Sequence, residues 1–132
     1  MAVTIDHVQS ADLDALAALF DAYRQFYGQP SDPAASRDWL RQRLRFGESR
    51  ALLARLDGKA AGFAQLYPMF SSVRLARIWI LNDLFVLPQM RRRGVARRLL
   101  DAAADFARED GAAWIQLETA RDNEAARATY RA

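Results

Sequence analysis

The spacing of apolar residues along the chain predicts three amphipathic helices. The first follows Ser10, which is placed to cap it, and the second follows the turn-rich segment 28–33 and ends at Gly47. The third begins at Gly94 and closes at Gly111, a residue favoured at left-handed helix ends. The apolar faces comprise Leu13, Leu16, Phe20, Tyr23 and Tyr27 in the first helix, Trp39, Leu40 and Leu44 in the second, and Val95, Leu99, Ala103 and Phe106 in the third. We expect these faces to be buried.

Short apolar and β-branched runs predict five strands. Two of them flank Asp57-Gly58, a strong signal for a tight antiparallel hairpin. A longer run is typical of a central strand and is ended by Pro88, and one more helix begins at Asn123. The five predicted strands are 3–8, 51–56, 61–67, 77–87 and 114–119.

The predicted order is strand, two helices, three strands, helix, strand and helix. This order is typical of a mixed α/β domain built around one sheet. The sequence contains no repeat, low-complexity tract or linker, so we expect a single domain over residues 1–132.

The amino-acid composition excludes several kinds of functional site. The chain has 132 residues and no cysteine, which excludes disulfides, thiolate metal sites and a cysteine nucleophile. His7 is the only histidine, which argues against a histidine metal site and an ordinary Ser-His-Asp triad, and we expect no metal. No run approaches the roughly 20 apolar residues of a membrane span, and the first residues do not form a targeting segment, so a cytoplasmic location without membrane contact is the simplest expectation.

The net charge of +3 is modest, and its cations are nearly all arginine. Most of these arginines alternate with Asp and Glu along predicted helices, which argues against nucleic acid as the main partner. Arg91, Arg92 and Arg93 form the one dense cluster, and it requires a local explanation.

That cluster lies where the long strand passes into the Gly94 helix. A helix start has unpaired N–H groups and a partial positive charge, so it favours anions. Arginines there are unfavourable unless an anion compensates them, and Gly94 and Ala96 would let a phosphate approach the backbone. The segment has neither the Gly-Lys-Ser/Thr of nucleotide hydrolases nor the three glycines of dinucleotide-binding folds. The sequence therefore predicts a diphosphate site.

Three linked segments resemble the GNAT family of N-acetyltransferases. The family's diphosphate loop reads Arg or Gln, two residues, Gly, one residue, then Gly or Ala, and Arg91, Gly94 and Ala96 satisfy it. The preceding segment 81–86 is similar to the family's central strand. Downstream, the family's Asn, Ala and Tyr are matched by Asn123, Ala126 and Tyr130. The resemblance covers residues 3–132.

The resemblance implies a mostly antiparallel central sheet flanked by helices, and transfer of an acetyl group from acetyl-coenzyme A to an amine. It implies that the strand backbone pairs with the pantetheine arm and that a strand N–H polarises the acetyl carbonyl. Asn123 would bind the same arm, although an Asn there is equally suited to cap a helix. The implied cofactor-binding residues are Leu84, Phe85, Val86, Arg91, Arg92, Arg93, Gly94, Val95, Ala96, Arg97 and Asn123.

Tyr130 resembles the family's general acid, which protonates the departing thiolate; the alternative is core packing, the usual role of a tyrosine in a helix. The general base stays open. Asn82 occupies a position where some members have Glu and cannot act as a base, whereas Asp83 and Glu118 are candidates. Asp83 should point away from Asn82 if the strand alternates, and a structural role as hydrogen-bond acceptor suits it better. A water held by Asn82 or by backbone carbonyls would also suffice.

The family's acceptor site is formed by the first two helices and the loop after the third strand. The matching residues are Tyr23, Phe26, Tyr27, Trp39, Tyr67 and Phe70, together with Asn82. An aromatic pocket accepts a cation or an apolar amine, so the acceptor is a small-molecule or protein amine of undefined identity. A homodimer is compatible with the sequence.

The chain stops at Ala132, before the Gly-Phe segment and two strands that usually follow in this family. The domain is therefore expected to be incomplete at its C-terminus, with strand 114–119 showing an unpaired edge unless a partner covers it. This departure and Asn82 favour, as an alternative, a non-catalytic acyl-coenzyme A-binding module. A nucleic-acid binder using the arginine cluster is a further alternative.

Overall fold

A computed structural model describes residues 2–118. In that range, five strands form one sheet in the order β1-β2-β3-β4-β5. The first three pairings are antiparallel, and β4 pairs with β5 in parallel. The strands are β1 (Val3–His7), β2 (Arg50–Leu56), β3 (Lys59–Ser71), β4 (Ala76–Val86) and β5 (Ile115–Leu117). The predicted mixed α/β fold with a mostly antiparallel sheet is confirmed.

Helices cover both faces of the sheet. One face packs against α1 (Leu13–Phe26) and α2 (Pro33–Arg45), in a core that contains Leu16, Leu40 and Phe63. The other face packs against α3 (Val95–Glu109), in a core that contains Leu81 and Leu99. Since α3 connects the parallel strands β4 and β5, its first turn lies at the end of β4. The helix predicted from Asn123 lies outside the described residues.

The short connections follow the predicted turn chemistry with one exception. Asp57 and Gly58 both have positive φ, 50° and 84°, which is the two-residue hairpin geometry that matches strand twist. The expected cap at Ser10 is wrong, because Ser10–Asp12 forms a 3-10 turn and α1 starts only at Leu13. There the Gln9 N–H donates to the Asp12 carboxylate at 2.9 Å.

The predicted burial of Trp39 is also wrong, because its side chain is 46% exposed rather than directed into the core. Helical spacing aligns Leu40 with Ser36, and both are buried, so Trp39 lies about 100° around the helix from Leu40. Its ring lies under the Arg43 guanidinium, 4.3 Å from the ring centroid to Cζ.

Asp21, a buried carboxylate of α1, fixes the connection between α1 and α2. It accepts hydrogen bonds from the Ser31 hydroxyl at 2.6 Å, the Asp32 N–H at 2.7 Å and the Ser36 hydroxyl at 3.1 Å. The Ser31 hydrogen bond, above all, holds the pKa of Asp21 below its ordinary value despite burial. The charge of Asp21 is thus compensated by the segment that leads into α2, which orients both helices over the sheet.

A β-bulge interrupts β4. Gln65 of β3 pairs with Asp83, and the next residue, Leu66, pairs with Leu81, so Asn82 is the extra residue. A bulge bends its strand and reverses the alternation of side chains beyond it. Before the bulge Leu81 faces α3, and after it Leu84 faces α3. The β4 residues that face this core therefore have odd numbers before the bulge and even numbers after it. The bulge lies next to Leu117, the last residue of β5.

Candidate active site

The first turn of α3 lacks the usual side-chain cap. Its N-cap is Gly94, in the left-handed conformation with φ 78°, and the first turn contains no acidic residue. The Arg98 N–H donates to the Gly94 carbonyl at 3.1 Å, so the preceding N–H groups at residues 95–97 have no partner within the helix ladder. These donors and the helix dipole favour an anion at this position.

The loop before Gly94 directs its arginines differently from one another. The side chains of Arg91, Arg92, Arg93 and Arg97 are exposed. Arg97 pairs with Asp101 one turn further along α3, at 3.3 Å. Arg91 turns back toward β4, where its Nε donates to the Val86 carbonyl at 2.9 Å. The loop therefore combines charge around the helix start with one direct link to the central strand.

The backbone of β4 leaves an open edge beside this loop. Before the bulge, the Arg77 and Leu81 carbonyls accept hydrogen bonds from the β5 side, from Ala113 and Glu118. After it, the Leu87 N–H donates to Ala61 of β3 at 2.8 Å. Backbone groups of successive residues point to opposite sides of a strand, so the peptide groups of Leu84 and Val86 face away from β3. In the described part of the chain, no strand pairs with them there.

Asp83 lies on the α1 side of the bulge, and three side chains donate to it. Its carboxylate accepts from the Tyr23 hydroxyl at 2.8 Å, the Gln65 amide at 2.9 Å and the Asn82 amide at 3.1 Å. The carboxyl is buried, and burial raises the pKa of Asp83, which these three hydrogen bonds only partly oppose. Burial and then the charge of Asp83 also raise the pKa of Tyr23.

The titration of Asp83 predicts a stability change in Asp83→Asn. Below the ordinary carboxyl pKa of 3.8 Asp83 is protonated both folded and unfolded. Above 3.8 the unfolded carboxyl ionises while the folded one, whose pKa is raised, stays protonated, so the unfolded state is increasingly favoured until the pH passes the folded pKa. The asparagine avoids this cost. Gln65 Oε1 is buried without a hydrogen-bond partner among the described residues, and turning the Gln65 amide over lets Oε1 accept from the amide introduced at position 83.

We therefore expect Asp83→Asn to gain stability relative to the unchanged protein as pH rises above about 4. Urea unfolding at several pH values measures the difference in free energy of unfolding. Glu109→Gln, which removes an exposed carboxyl at the end of α3, is the control. A relative loss of stability that grows with pH would show that the three donors outweigh the burial of the charge.

Four of the six aromatic residues predicted for the acceptor site lie around this carboxylate. Tyr23 contacts the rings of Tyr27 and Phe85, and Phe26 contacts the same two rings. Burial, followed by the charge of Asp83, raises the pKa of Tyr67 to about 12, so Tyr67 is a neutral hydroxyl at physiological pH.

Of the remaining two predicted aromatic residues, Trp39 lies near this group and Phe70 does not. An interaction with Trp39 lowers the pKa of Tyr67 against the effect of burial, which places α2 beside the same group. Phe70 lies five residues beyond Gln65 on β3, roughly 16 Å along the strand, and is 69% exposed under Arg77. The structure thus brings together Tyr23, Tyr27, Tyr67 and Asn82 and separates Phe70 from them.

Glu118, the second candidate base, is exposed at the end of β5. Its N–H donates to the Leu81 carbonyl at 3.0 Å, which fixes its backbone beside the bulge, and its carboxylate accepts from Gln116 at 2.9 Å. The other downstream candidates, Asn123 and Tyr130, lie outside the described residues.

Two contributors to this site were missed by the sequence reasoning. Gln65 was assigned only to a strand, although a buried amide between Phe63 and Leu66 is unusual and requires a polar partner. The bulge was missed as well. The one sequence signal for the bulge is that the apolar positions change from odd numbers, at Trp79 and Leu81, to even numbers, at Leu84 and Val86.

Comparison with known proteins identifies the family. The model of the acetyltransferase (GNAT) family matches residues 15–132. The chain belongs to the GNAT family. It is 45% identical over 128 residues to the uncharacterised N-acetyltransferase YhfO of Bacillus subtilis (strain 168), covering 97% of this chain and 86% of that protein. These relations and the fold indicate an acetyltransferase.

Solved structures of GNAT proteins share the fold. The crystal structure of a probable acetyltransferase is 45% identical and superposes with a TM-score of 0.91, over 97% of this chain and 86% of the other. A structure described as a predicted acetyltransferase with acetyl-CoA, from Clostridium acetobutylicum, superposes with a TM-score of 0.79 at 14% identity, over 98% of this chain and 88% of the other. The second likeness concerns the fold alone.

No helix within residues 2–118 combines the length and apolar character needed to cross a membrane.

Proposed function

We propose that this chain transfers the acetyl group of acetyl-coenzyme A to a primary amine of a small molecule or protein. The observation that carries the proposal is the open edge of β4 at Leu84 and Val86, which leads directly to the uncapped start of α3 at Gly94. One ligand with an extended amide-containing arm and a diphosphate would satisfy both sets of backbone groups. Coenzyme A has that composition.

In the proposed complex, the pantetheine arm lies along residues 84–86 as an additional strand would. The diphosphate accepts from the N–H groups at the start of α3, with Arg92, Arg93 and Arg97 supplying charge. The Leu84 N–H, the first open donor after the bulge, is directed at the acetyl carbonyl. A fixed donor aimed at the developing oxyanion contributes on the order of 3 to 4 kcal/mol to acyl transfer.

The acceptor amine is proposed to approach from the α1 side of the bulge, past Tyr23, Tyr27, Tyr67 and Asn82. The aromatic surfaces there suit the apolar part of an amine. Asn82 is exposed and its amide is held by Asp83, so Asn82 is the polar group best positioned to orient an incoming substrate. Asp83 is a positioning residue in this arrangement, since it already accepts from three donors.

An alkylammonium with a pKa of about 10.4 must lose its proton before it attacks, so a base is expected. Of the two candidate carboxylates, Asp83 is buried and Glu118 is exposed. We therefore propose Glu118 as the general base, acting directly or through a water. Within the described part of the chain, we therefore assign removal of the amine proton to Glu118, at the end of β5, and orientation of the acceptor to Asp83.

Replacing Glu118 with Gln is expected to lower kcat/KM by about 100-fold, a typical cost of removing a general base. Asp83→Asn alters positioning only, so it should mainly raise the KM for the amine. If the larger loss of kcat is found in Asp83→Asn, the two roles are reversed.

The overall proposal is tested by release of free thiol from acetyl-coenzyme A across a panel of amines, with coenzyme A binding measured separately by calorimetry. Amine-dependent thiol release with binding in the micromolar range supports it. Binding without transfer to any amine would identify a non-catalytic acyl-coenzyme A-binding module. The absence of binding by a folded sample would contradict both.

A further inference from the structure

We propose that Arg91 is a positioning residue that orients the β4 backbone and does not bind the diphosphate. This inference rests on the proposed binding of coenzyme A along residues 84–86. It separates Arg91 from the other arginines of the loop, which keep the proposed role of supplying charge.

Three contacts hold the Arg91 side chain against β4. Its Nε donates to the Val86 carbonyl at 2.9 Å. Its Cζ lies 5.6 Å from the ring centroid of Phe26 and 5.8 Å from that of Phe85. A guanidinium above two aromatic rings is attracted by both, and a hydrogen bond from a charged donor is stronger than a neutral one. Together these contacts direct the side chain toward β4.

The acceptor of that hydrogen bond belongs to a peptide unit that is held at both ends. The Leu87 N–H of the same unit donates to the Ala61 carbonyl of β3 at 2.8 Å. A trans peptide is planar, and its C=O and N–H point in opposite directions, so bonds at the two ends fix the orientation of the plane. Arg91 supplies the bond on the open edge, where the described part of the chain offers no strand.

The orientation of this plane affects its neighbours. Val86 N–H and Leu84 N–H lie on the same open edge as the Val86 carbonyl, and the proposed function requires both to point at the ligand. Rotation of the 86–87 peptide would tilt the edge and misdirect the donors. A misplacement of about 1 Å at a reacting group can reduce a rate by about 100-fold.

The chemistry of Arg91 allows its donor to be separated from its charge. In Gln, Nε2 stands the same number of bonds from Cα as Nε does in Arg, so Arg91→Gln keeps a donor for the Val86 carbonyl without the charge. Arg91→Met has a side chain of the same length as Gln and lacks the donor. The two variants therefore form a matched pair.

The kinetic test uses two acetyl donors, acetyl-coenzyme A and S-acetylpantetheine, which carries the same thioester arm without diphosphate or nucleotide. We expect Arg91→Met to lower kcat/KM about 10-fold or more with both donors and Arg91→Gln to stay within about twofold of the unchanged protein. Arg92→Met, by contrast, should lose activity with acetyl-coenzyme A only. Arg108→Met, at the far end of α3, is the control.

A second measurement needs neither cofactor nor activity. Hydrogen exchange of the Leu87 amide in the free protein should be at least about 10-fold faster in Arg91→Met, because the peptide plane loses one of its two anchors, and unchanged in Arg91→Gln, Arg92→Met and Arg108→Met. If coenzyme A does not bind at all, the proposed function fails while this arm still tests the link between Arg91 and Val86.

Two results would overturn the inference. One is a loss in Arg91→Gln confined to acetyl-coenzyme A, which would make Arg91 a ligand of the diphosphate. The other is an unchanged Leu87 exchange rate in Arg91→Met. If Arg91→Met does not fold, as thermal melts would show, the comparison of Arg91→Gln between the two donors still decides.

Discussion

Replacing Gly94 with Val is expected to reduce the affinity for coenzyme A by at least about 100-fold while the protein remains folded. Gly94 has a φ of 78°, and, apart from its immediate chain neighbours, no atom of the described chain lies within 4 Å of a Cβ built at this position. We therefore expect the valine side chain to fit without displacing the fold and to occupy the space in front of the N–H groups that begin α3. Loss of several hydrogen bonds to a charged group accounts for the size of the effect.

Strain at Gly94 must be separated from steric blocking of the ligand, and the chain contains a matched control. Gly111, beyond the other end of α3, also has a φ of 78° and no atom within 4 Å of an added Cβ. Valine in the left-handed region costs roughly 1 to 2 kcal/mol at either position. Gly111→Val should thus lower the melting temperature as much as Gly94→Val does but leave coenzyme A affinity within about twofold. Calorimetry and thermal melts on the two variants provide both readouts, and coenzyme A affinity that is equal in the two variants would remove the diphosphate from the start of α3.

The start of α3 could be located from sequence because its determinants are local. A glycine at each end and apolar residues at helical spacing define a helix with little dependence on its surroundings, and the structure confirms α3 from Val95 to Glu109. The Asp57-Gly58 hairpin is predictable for the same reason, since the turn itself requires two residues with positive φ.

The features that sequence reasoning did not find depend on partners far away in the chain. The bulge at Asn82 exists because β3 offers one residue where β4 offers two, and no local propensity encodes that difference. Asp83 consequently faces α1, and two of its three donors come from α1 and β3, up to 60 residues away. The exposure of Trp39 likewise follows from the way α2 packs, with Ser36 bonded to Asp21 on the buried side.

Arg91 shows the limit of reasoning from charge. Three consecutive arginines at a helix start indicate an anion, and by charge alone the three are equivalent. The fold gives Arg91 a specific role, because it directs this side chain back to the Val86 carbonyl and to the rings of Phe26 and Phe85. A count of cations predicts the field at a site, whereas the acceptor that each guanidinium finds depends on tertiary structure.

Gly62 of β3 constrains the same segment of β4 as Arg91 does, but from the β3 side. It pairs with Val86, and a Cβ built at Gly62 would lie 2.5 Å from the Phe85 carbonyl oxygen and 3.2 Å from the Val86 Cα. Both atoms belong to backbone and cannot move aside as a flexible side chain would. Any side chain at position 62 must therefore displace β4 where the cofactor is proposed to bind.

Gly62→Ala is accordingly expected to lower kcat/KM by about 100-fold, since a displacement of roughly 1 Å at a reacting group has an effect of that size. Stability should also fall, by about 1 to 3 kcal/mol, as expected for overpacking. Leu52→Val in β2, which removes one methylene from the α3 side of the core, is the stability-matched control and should retain coenzyme A affinity. Steady-state kinetics, urea unfolding and calorimetry on both variants test this. Equal losses of activity at equal losses of stability would mean that Gly62 supports the fold alone, whereas a selective loss in Gly62→Ala would show that close contact between β3 and β4 sets the geometry of the edge that binds the cofactor.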